Sequence, residues 1–413
     1  MERLALYAAA SIAFLCAASQ GHAADRAIGL SLCSSIDRAR AEQPFGDSNG
    51  SFLPSYLASE NGMELPKPLQ NTAFVYDNAL AVMAFLACGR VDRARSIGDA
   101  LISAGKRDRY YTDGRLRNAY RSGPVDEQIA LPGWWDDAAK NWVEDEYQVS
   151  TASGNIAWAA LALLQLHDRT KEPKYLDGAE HLGSWLEQLA GRDDHNPGVA
   201  GGYYGFEPEA SRIAWKSTEH NIDIVAVARW LWMTTEDPRW ERLAQNTLRF
   251  VSTMHDDKDG FLIGTDLQGQ RVHSADLWLD VQIWPLLVLP ESQRPTSWYD
   301  ATNLIDARLS VPGGYDFNGD RDGLWIEGTA QAALLFSLEG EPKRASILIG
   351  SVLQYIDPES GWLYATPNEE LSTGLSIDAM GQGGAFMYHR WPHLGATAWT
   401  VLAAMDFNPF QPN

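Results

Sequence analysis

Cysteine is scarce in this chain, three in 413 residues. One of them, Cys16, lies in an N-terminal apolar run, which leaves Cys33 and Cys88. Two thiols are too few for a cysteine zinc site, while an oxidising compartment would permit them to pair. A bond tying the N-terminal segment to the first helical hairpin and two separately buried thiols both fit the sequence. Positive charge is short as well: 33 Lys and Arg face 54 Asp and Glu, a formal net charge of -21. Such a surface repels nucleic acid and anionic membranes and disfavours a polyanionic ligand. Also missing are an HExxH or paired-His spacing, a Gly-rich phosphate loop opening a helix after a strand, and a GxSxG elbow. Their absence removes the sequence grounds for a zinc site, a nucleotide site and a serine nucleophile.

Residues 1–23 carry Arg3, an apolar run from Leu4 to Ala18, and the small-residue ending Gly21-His22-Ala23. That layout is expected of a secretory signal peptide with an A-x-A-like end. The run is shorter than the ~20 residues of a spanning helix, and Phe14 and Leu15 before Cys16 argue against a lipoprotein box. The expectation is export to a secreted or periplasmic location. No Ser/Pro/Gly-rich linker divides residues 24–413, and closed helical barrels reach this size as one domain.

What the chain does have is a repeat. Long apolar stretches, Thr72–Ala87, Thr151–Leu166, Ser217–Met233, Ser274–Leu289, Leu324–Leu338 and His393–Met405, alternate with amphipathic ones. The latter are Val91–Ala104, Lys174–Ala190, Pro238–Met254, Ser297–Ala307 and Pro342–Tyr355. Helices apolar nearly all round must be buried, whereas those with one apolar stripe lie outside them. The pattern predicts an all-α toroid of six inner and six outer helices, an (α/α)6 barrel. The chain ends too soon after Met405 for a last partner, so a helix around Ile28–Ala41 is expected to close the ring. Loops rich in Gly, Trp and Asp precede the apolar helices and would gather at one end. Pieces such as Gly201–Phe206, Phe261–Thr265 and Gly361–Tyr364 would form short hairpins at that rim.

Four stretches carry a resemblance: Tyr76-Asp77-Asn78-Ala79-Leu80; Ser153-Gly154-Asn155 leading to Trp158; Lys216-Ser217-Thr218-Glu219-His220-Asn221; and Trp325-Ile326-Glu327-Gly328-Thr329. Their succession resembles the six-hairpin glycosidase superfamily, over nearly the whole chain. The resemblance implies an (α/α)6 barrel and, in most members, an inverting glycoside hydrolase with carboxylates at the N-terminal ends of inner helices. Some relatives are polysaccharide lyases or sugar epimerases, so the fold does not dictate the reaction.

Hydrolysis of a glycosidic bond needs one carboxylic acid and one carboxylate. Asp77 sits on an apolar stripe, and burial raises a carboxyl pKa toward that of a general acid. Glu219 and Asp223, four apart, share a helix face, with Lys216 and His220 near them. Glu327 follows Trp325 in a first turn. Asp276 and Asp280 form another four-spaced pair. Glu219 or Glu327 is expected as the proton donor, and Asp77 or Asp280 as the base. Acidic first-turn residues are also favoured by the helix dipole alone, and the run Glu144-Asp145-Glu146 fits a solvated face.

Trp134, Trp135, Trp142, Trp215, Trp325 and Trp391 fall in or beside loops, where indoles suit stacking on sugar rings. Trp158, Trp230 and Trp284 lie mid-helix and are expected in the core. Lys216, Asn221 and Arg390 are candidates for binding hydroxyls. His220, Tyr388, His389 and His393 are the groups that a lyase or epimerase would use. The loop Asp316–Gly323 invites a calcium reading through Asp316, Asn318, Asp320 and Asp322, but neither register is complete: Arg321 or Thr329 falls where the loop needs Gly or Glu. No cofactor is therefore expected, and the partner is an oligo- or polysaccharide. A non-catalytic glycan-binding protein is the remaining alternative.

Overall fold

The computed structural model describes residues 23–38, 50–59, 63–125, 129–191, 196–272, 277–376 and 384–412. Residues 1–22 of the expected signal segment, and Asp276, lie outside the described residues. Within them the chain opens with helix α1 (23–38). There follow α2 (Val75–Ala87), α3 (Val91–Lys106), a single turn α4 (Glu146–Val149), α5 (Ser153–Thr170) and α6 (Pro173–Ala190). Next come α7 (Thr218–Thr235), α8 (Pro238–Thr253), α9 (Leu279–Val288) and α10 (Ala301–Arg308). The last three are α11 (Ile326–Leu338), α12 (Pro342–Val352) and α13 (Leu394–Ala404).

The inner ring is α2, α5, α7, α9, α11 and α13, each packed on the next, with α13 returning to α2. These are the six apolar stretches. All residues of α13 and α9 are buried, because neither has a polar face to turn outward. Pro at the first helical position opens α6, α8 and α12, where its missing N–H costs nothing. Trp158, Trp284 and Trp399 pack edge-on or stacked in the barrel's centre, and Phe410 from the C-terminal segment seals them from below. The fold is thus the all-α (α/α)6 toroid.

Several boundaries differ from expectation, three of them by more than the cap. Thr72–Phe74 is a strand paired with Ala119–Arg121, so α2 starts three residues late. The helix expected from Ser274 begins at Leu279. The stretch from Ser297 is a 3-10 turn, Thr296–Asp300, running into α10. At α2, loop backbone pairs with a neighbouring loop before the helix begins, a tertiary contact that helical periodicity does not encode.

The connections from outer to inner helices make short antiparallel hairpins at one end of the barrel. Among them are Gly202–Tyr204 with Ser211–Ile213, and Glu370–Ser376 with Ala385–His389. At this end the first N–H of each inner helix donates to a loop carbonyl of the following repeat. Val75 donates to Asn118, Ser153 to Gly201, Thr218 to Ile263, Leu279 to Phe317, Ile326 to Ala365 and Leu394 to Ser55, at 2.9–3.2 Å. The last bond returns to the first repeat. Orphan donors of the helix starts thereby tie the rim into a ring.

Candidate active site

Every inner helix presents a polar first-turn or capping residue to the mouth: Asp77 (α2), Asn155 (α5), Glu219 (α7), Asp280 (α9), Glu327 (α11) and the N-cap His393 (α13). Helix dipoles favour acids at these positions individually. Four acids converging on one mouth oppose one another, and nearly all are buried.

Glu327 is buried and accepts a 2.6 Å hydrogen bond from the Tyr76 hydroxyl, which itself accepts from Trp399 Nε1 at 2.8 Å. Its other oxygen lies 3.7 Å from His393 Nδ1. Burial pushes its pKa up to about 7, against the pull of His393 and Tyr76. His393 Nε2 is 3.5 Å from Asp77 Oδ1, and its Nδ1 caps α13 by accepting from Ala396 N–H at 3.3 Å. That cap assigns the hydrogen of the neutral ring to Nε2, facing Asp77. Burial draws the His393 pKa down, but Asp77 and Glu327 outweigh it and the net shift is upward. Tyr56 stacks on the imidazole at 4.6 Å. Gly395 is necessary beneath this cluster: a Cβ there would stand 2.8 Å from Asp77 Oδ1, Glu327 Oε2 and His393 Cε1 alike.

Across the mouth, Glu219 is half-buried, and among the described residues nothing hydrogen-bonds its carboxyl. Burial first, then the charges of Asp280 and Glu327, push its pKa well above the carboxylate range. Asp280 accepts from Val281 N–H at 2.7 Å, yet burial still raises it to about 7. One turn below Glu219, Asp223 is wholly buried, and neither oxygen has a partner among the described residues. Burial, Glu219 and Asp280 drive its pKa up. His220 bridges to α5 through Ser153 Oγ at 3.0 Å, and burial lowers its pKa to about 4, so its ring is neutral.

Several candidates stand elsewhere. The Lys216 ammonium donates to the carbonyls of Asn196 and Pro197, both at 3.0 Å. Asn221 is buried and clamps Val199 through both N–H and C=O. Trp325 is buried at the α11 N-cap, stacked with Tyr388 at 6.0 Å. Trp391 is buried against Tyr56 and Leu65. Trp215 is half-buried beside His220, at 5.8 Å. Arg390 is exposed, over the Tyr364 ring. Trp134 is half-buried, while Trp135 next to it is exposed. Tyr388 is half-buried, and the charges of Glu327 and Asp77, with burial first, raise its pKa. Glu144 pairs with Arg109, and Asp145 caps α4.

In the Asp316–Gly323 loop, oxygens of Asp316, Asp320 and Asp322 come within 4.8 Å of one another. They also shape the loop: Asp316 accepts from Gly323, Asp320 from Asp322, and Asp322 from Ser372, while Asn318 accepts from Asp320.

Sequence reasoning missed Tyr56, Tyr76 and Tyr147. Tyr76 adjoins Asp77 and was legible from helical position. Tyr147, whose hydroxyl pKa is raised to about 12 by burial and by Glu219, sits on a single helical turn without periodicity. Tyr56 lies in a loop with no helical signal.

No family model and no curated protein matches the chain. Solved structures do. A glycosidase, whose variants include one in complex with glucose, superposes with TM-score 0.62 at 13% identity, covering 95% of this chain and 99% of that one. An alpha-amylase from Clostridium perfringens gives TM-score 0.59 at 11% identity, over 91% and 96% of the two chains. A sugar epimerase from a ruminal bacterium gives 0.57 at 13%, over 90% and 98%. The chain shares the (α/α)6 fold of these structures.

Proposed function

We propose that this chain is a glycoside hydrolase, acting with inversion on an oligo- or polysaccharide outside the cytoplasm. The observation that carries the reading is the convergence of Glu219 and Asp280 from adjacent inner helices, two neighbouring carboxyls whose proton affinities burial raises and which disfavour ionising together. Glu219, the more exposed, holds its proton well above the usual range. Asp280 gives up its proton near pH 7. Such a pair divides into acid and base. Glu219 donates its proton to the leaving glycosidic oxygen as the bond from the anomeric carbon breaks. Asp280 takes a proton from water, whose oxygen bonds to that carbon. Asp77, His393, Glu327 and Tyr76 form a buried hydrogen-bonding wall for the hydroxyls of the reacting ring. The Cys33–Cys88 disulfide supports export, since such bonds persist in oxidising compartments.

The test follows reducing ends and ultraviolet absorbance together over a panel of neutral and acidic glycans. Reducing ends without absorbance are expected, with Glu219→Gln and Asp280→Asn each lowering kcat by about 10²–10⁴-fold. The acid limb of kcat/KM is expected near pH 7, where Asp280 protonates. Absorbance from an unsaturated product, or full activity in both variants, would overturn the assignment. A second reading, sugar epimerase, is favoured by His393, a buried imidazole between two carboxyls. It requires isomerisation of a free sugar without new reducing ends, lost in His393→Asn.

A further inference from the structure

The longest rim connection, residues 107–152, carries an isolated hairpin, Trp134–Asp136 paired with Asn141–Val143. Trp135 and Trp142 are directly opposed in its register, so both indoles stand on the same face, with Cβ atoms about 5 Å apart. They are 51% and 43% exposed, although burying them would be favourable. The platform is pre-formed. Asp136 Oδ1 accepts from Ala138 and Ala139 N–H at 2.8 and 3.0 Å, fixing the turn. Glu144 at its base is held by both terminal nitrogens of Arg109 at 2.7 Å. Trp142 lies across Gly133, where a Cβ would be 2.4 Å from its Nε1, with Arg121 5.6 Å from the ring centre. Three residues beyond Glu144, Tyr147 faces Glu219 and Asp77.

Two indoles of at most about 250 Å² each, about half exposed, offer about half of the ~500 Å² that each partner contributes to a stable protein interface. An anionic membrane is repelled by the chain's charge of -21. A flat, uncharged ligand with one apolar face and hydroxyl edges fits both the rings and the charge. We infer that the Trp135/Trp142 face is a binding site for neutral polysaccharide, outside the acid cluster and continuous with its mouth, so that the substrate of the proposed hydrolase is an extended neutral chain.

The inference rests on the hydrolase reading for its kinetic test and is separable from it by binding. kcat/KM is measured on a soluble neutral polysaccharide and on the disaccharide of the same linkage, for wild type, Trp135→Ala, Trp142→Ala and Trp135→Tyr. The alanine variants are expected to lose about tenfold on the polymer, through KM, and several-fold less on the disaccharide, with Trp135→Tyr recovering most of the loss. Equal losses on both lengths would overturn the site. In parallel, Glu219→Gln is run in native gels cast with β-glucan, galactomannan or starch. Retardation that disappears when Trp135→Ala is added upholds the site even where no bond is cleaved and the hydrolase reading fails. No retardation in any gel overturns it.

Discussion

Asp223 has no hydrogen-bond partner and no cation beside it among the described residues, and the nearest charges, Glu219 and Asp280, share its sign. A buried carboxyl in that setting keeps its proton. The same holds for Glu219, Asp280 and Glu327, whose folded pKa values are raised, the last two to about 7. In the unfolded chain these groups ionise near pH 4. As pH rises from about 4, the unfolded state therefore releases protons that the folded state retains, and stability falls until the folded groups ionise in turn. Asp108 and Glu207, lowered by Arg117 and Arg109 with Glu207 at about 2, act oppositely: their contribution is lost only as pH drops below about 4. His220, lowered to about 4, likewise weakens the fold in acid. Stability is thus expected to peak at mildly acidic pH. Asp223→Asn, a neutral residue of the same shape, should raise Tm at pH 8 by about 1 °C for each kcal/mol relieved, and should leave pH 4.5 close to wild type. A pH-independent shift in calorimetry would sink this account.

The element that recurs around the ring is a clamp. The fourth residue of an inner helix holds the backbone of its own preceding loop: Asn78 on Leu53, Asn221 on Val199, Gln282 on Phe261, Thr329 on Tyr315 and Thr397 on Leu363. At α5 that position is Ile156, and Thr151 holds Leu116 instead, at 2.9 Å. A glycine with positive φ stands one to three residues before each clamped residue: Gly50, Gly114, Gly198, Gly260, Gly313 and Gly361. Each begins the turn that aims the loop at its helix. Asn221→Ala would orphan the N–H and C=O of Val199, about 1–3 kcal/mol for each buried group, and loosen the loop in front of Glu219. The expected result is a lower Tm, with amide exchange raised first in residues 196–204; uniform exchange would count against a local clamp. This also shows why the site was only partly legible. The acids at Asp77, Glu219, Asp280 and Glu327 stood out because each opens an apolar helix. Asn221 and Lys216 stood beside them in sequence and were candidates for binding hydroxyls. Asn221 stands two residues, about 200°, round α7 from Glu219, and Lys216 precedes that helix, so these side chains turn to the loops while the acids turn to the mouth. The glycine-then-apolar signal was present six times and passed unread, because its spacing to the helix varies from one repeat to the next.

The six apolar and five amphipathic stretches were readable from periodicity, and the gap they left predicted that the N-terminal helix closes the ring. The structure places α1 there: Gly29 packs under Met405 beyond α13, Asp37 pairs with Arg90 and Arg93 at the α2–α3 turn, and Ser346 of α12 reaches Asp25. What the sequence left open was whether Cys33 and Cys88 meet. They do, with Cα atoms 6.7 Å apart. The bond joins α1 to the C-cap of α2, the end of the barrel opposite the acids. A toroid has no free edge only while its first and last repeats stay joined. Besides the packing of α13 on α2 and the mouth contacts of Ser55 with Leu394, α1 is the strap across that seam. With the cysteines 55 positions apart in sequence, loop-closure entropy assigns the bond about 4 kcal/mol. Cys33→Ser/Cys88→Ser, or reductant, is therefore expected to lower denaturant stability by up to this amount and to make residues 23–38 the first segment cut by protease. Because the disulfide lies at the far end of α2 from Asp77, kcat at 25 °C should hold while the folded fraction does. Loss of kcat before loss of structure would mean that strain at the seam is transmitted along α2 to the mouth. Unaltered stability would mean that the inner ring closes without its strap.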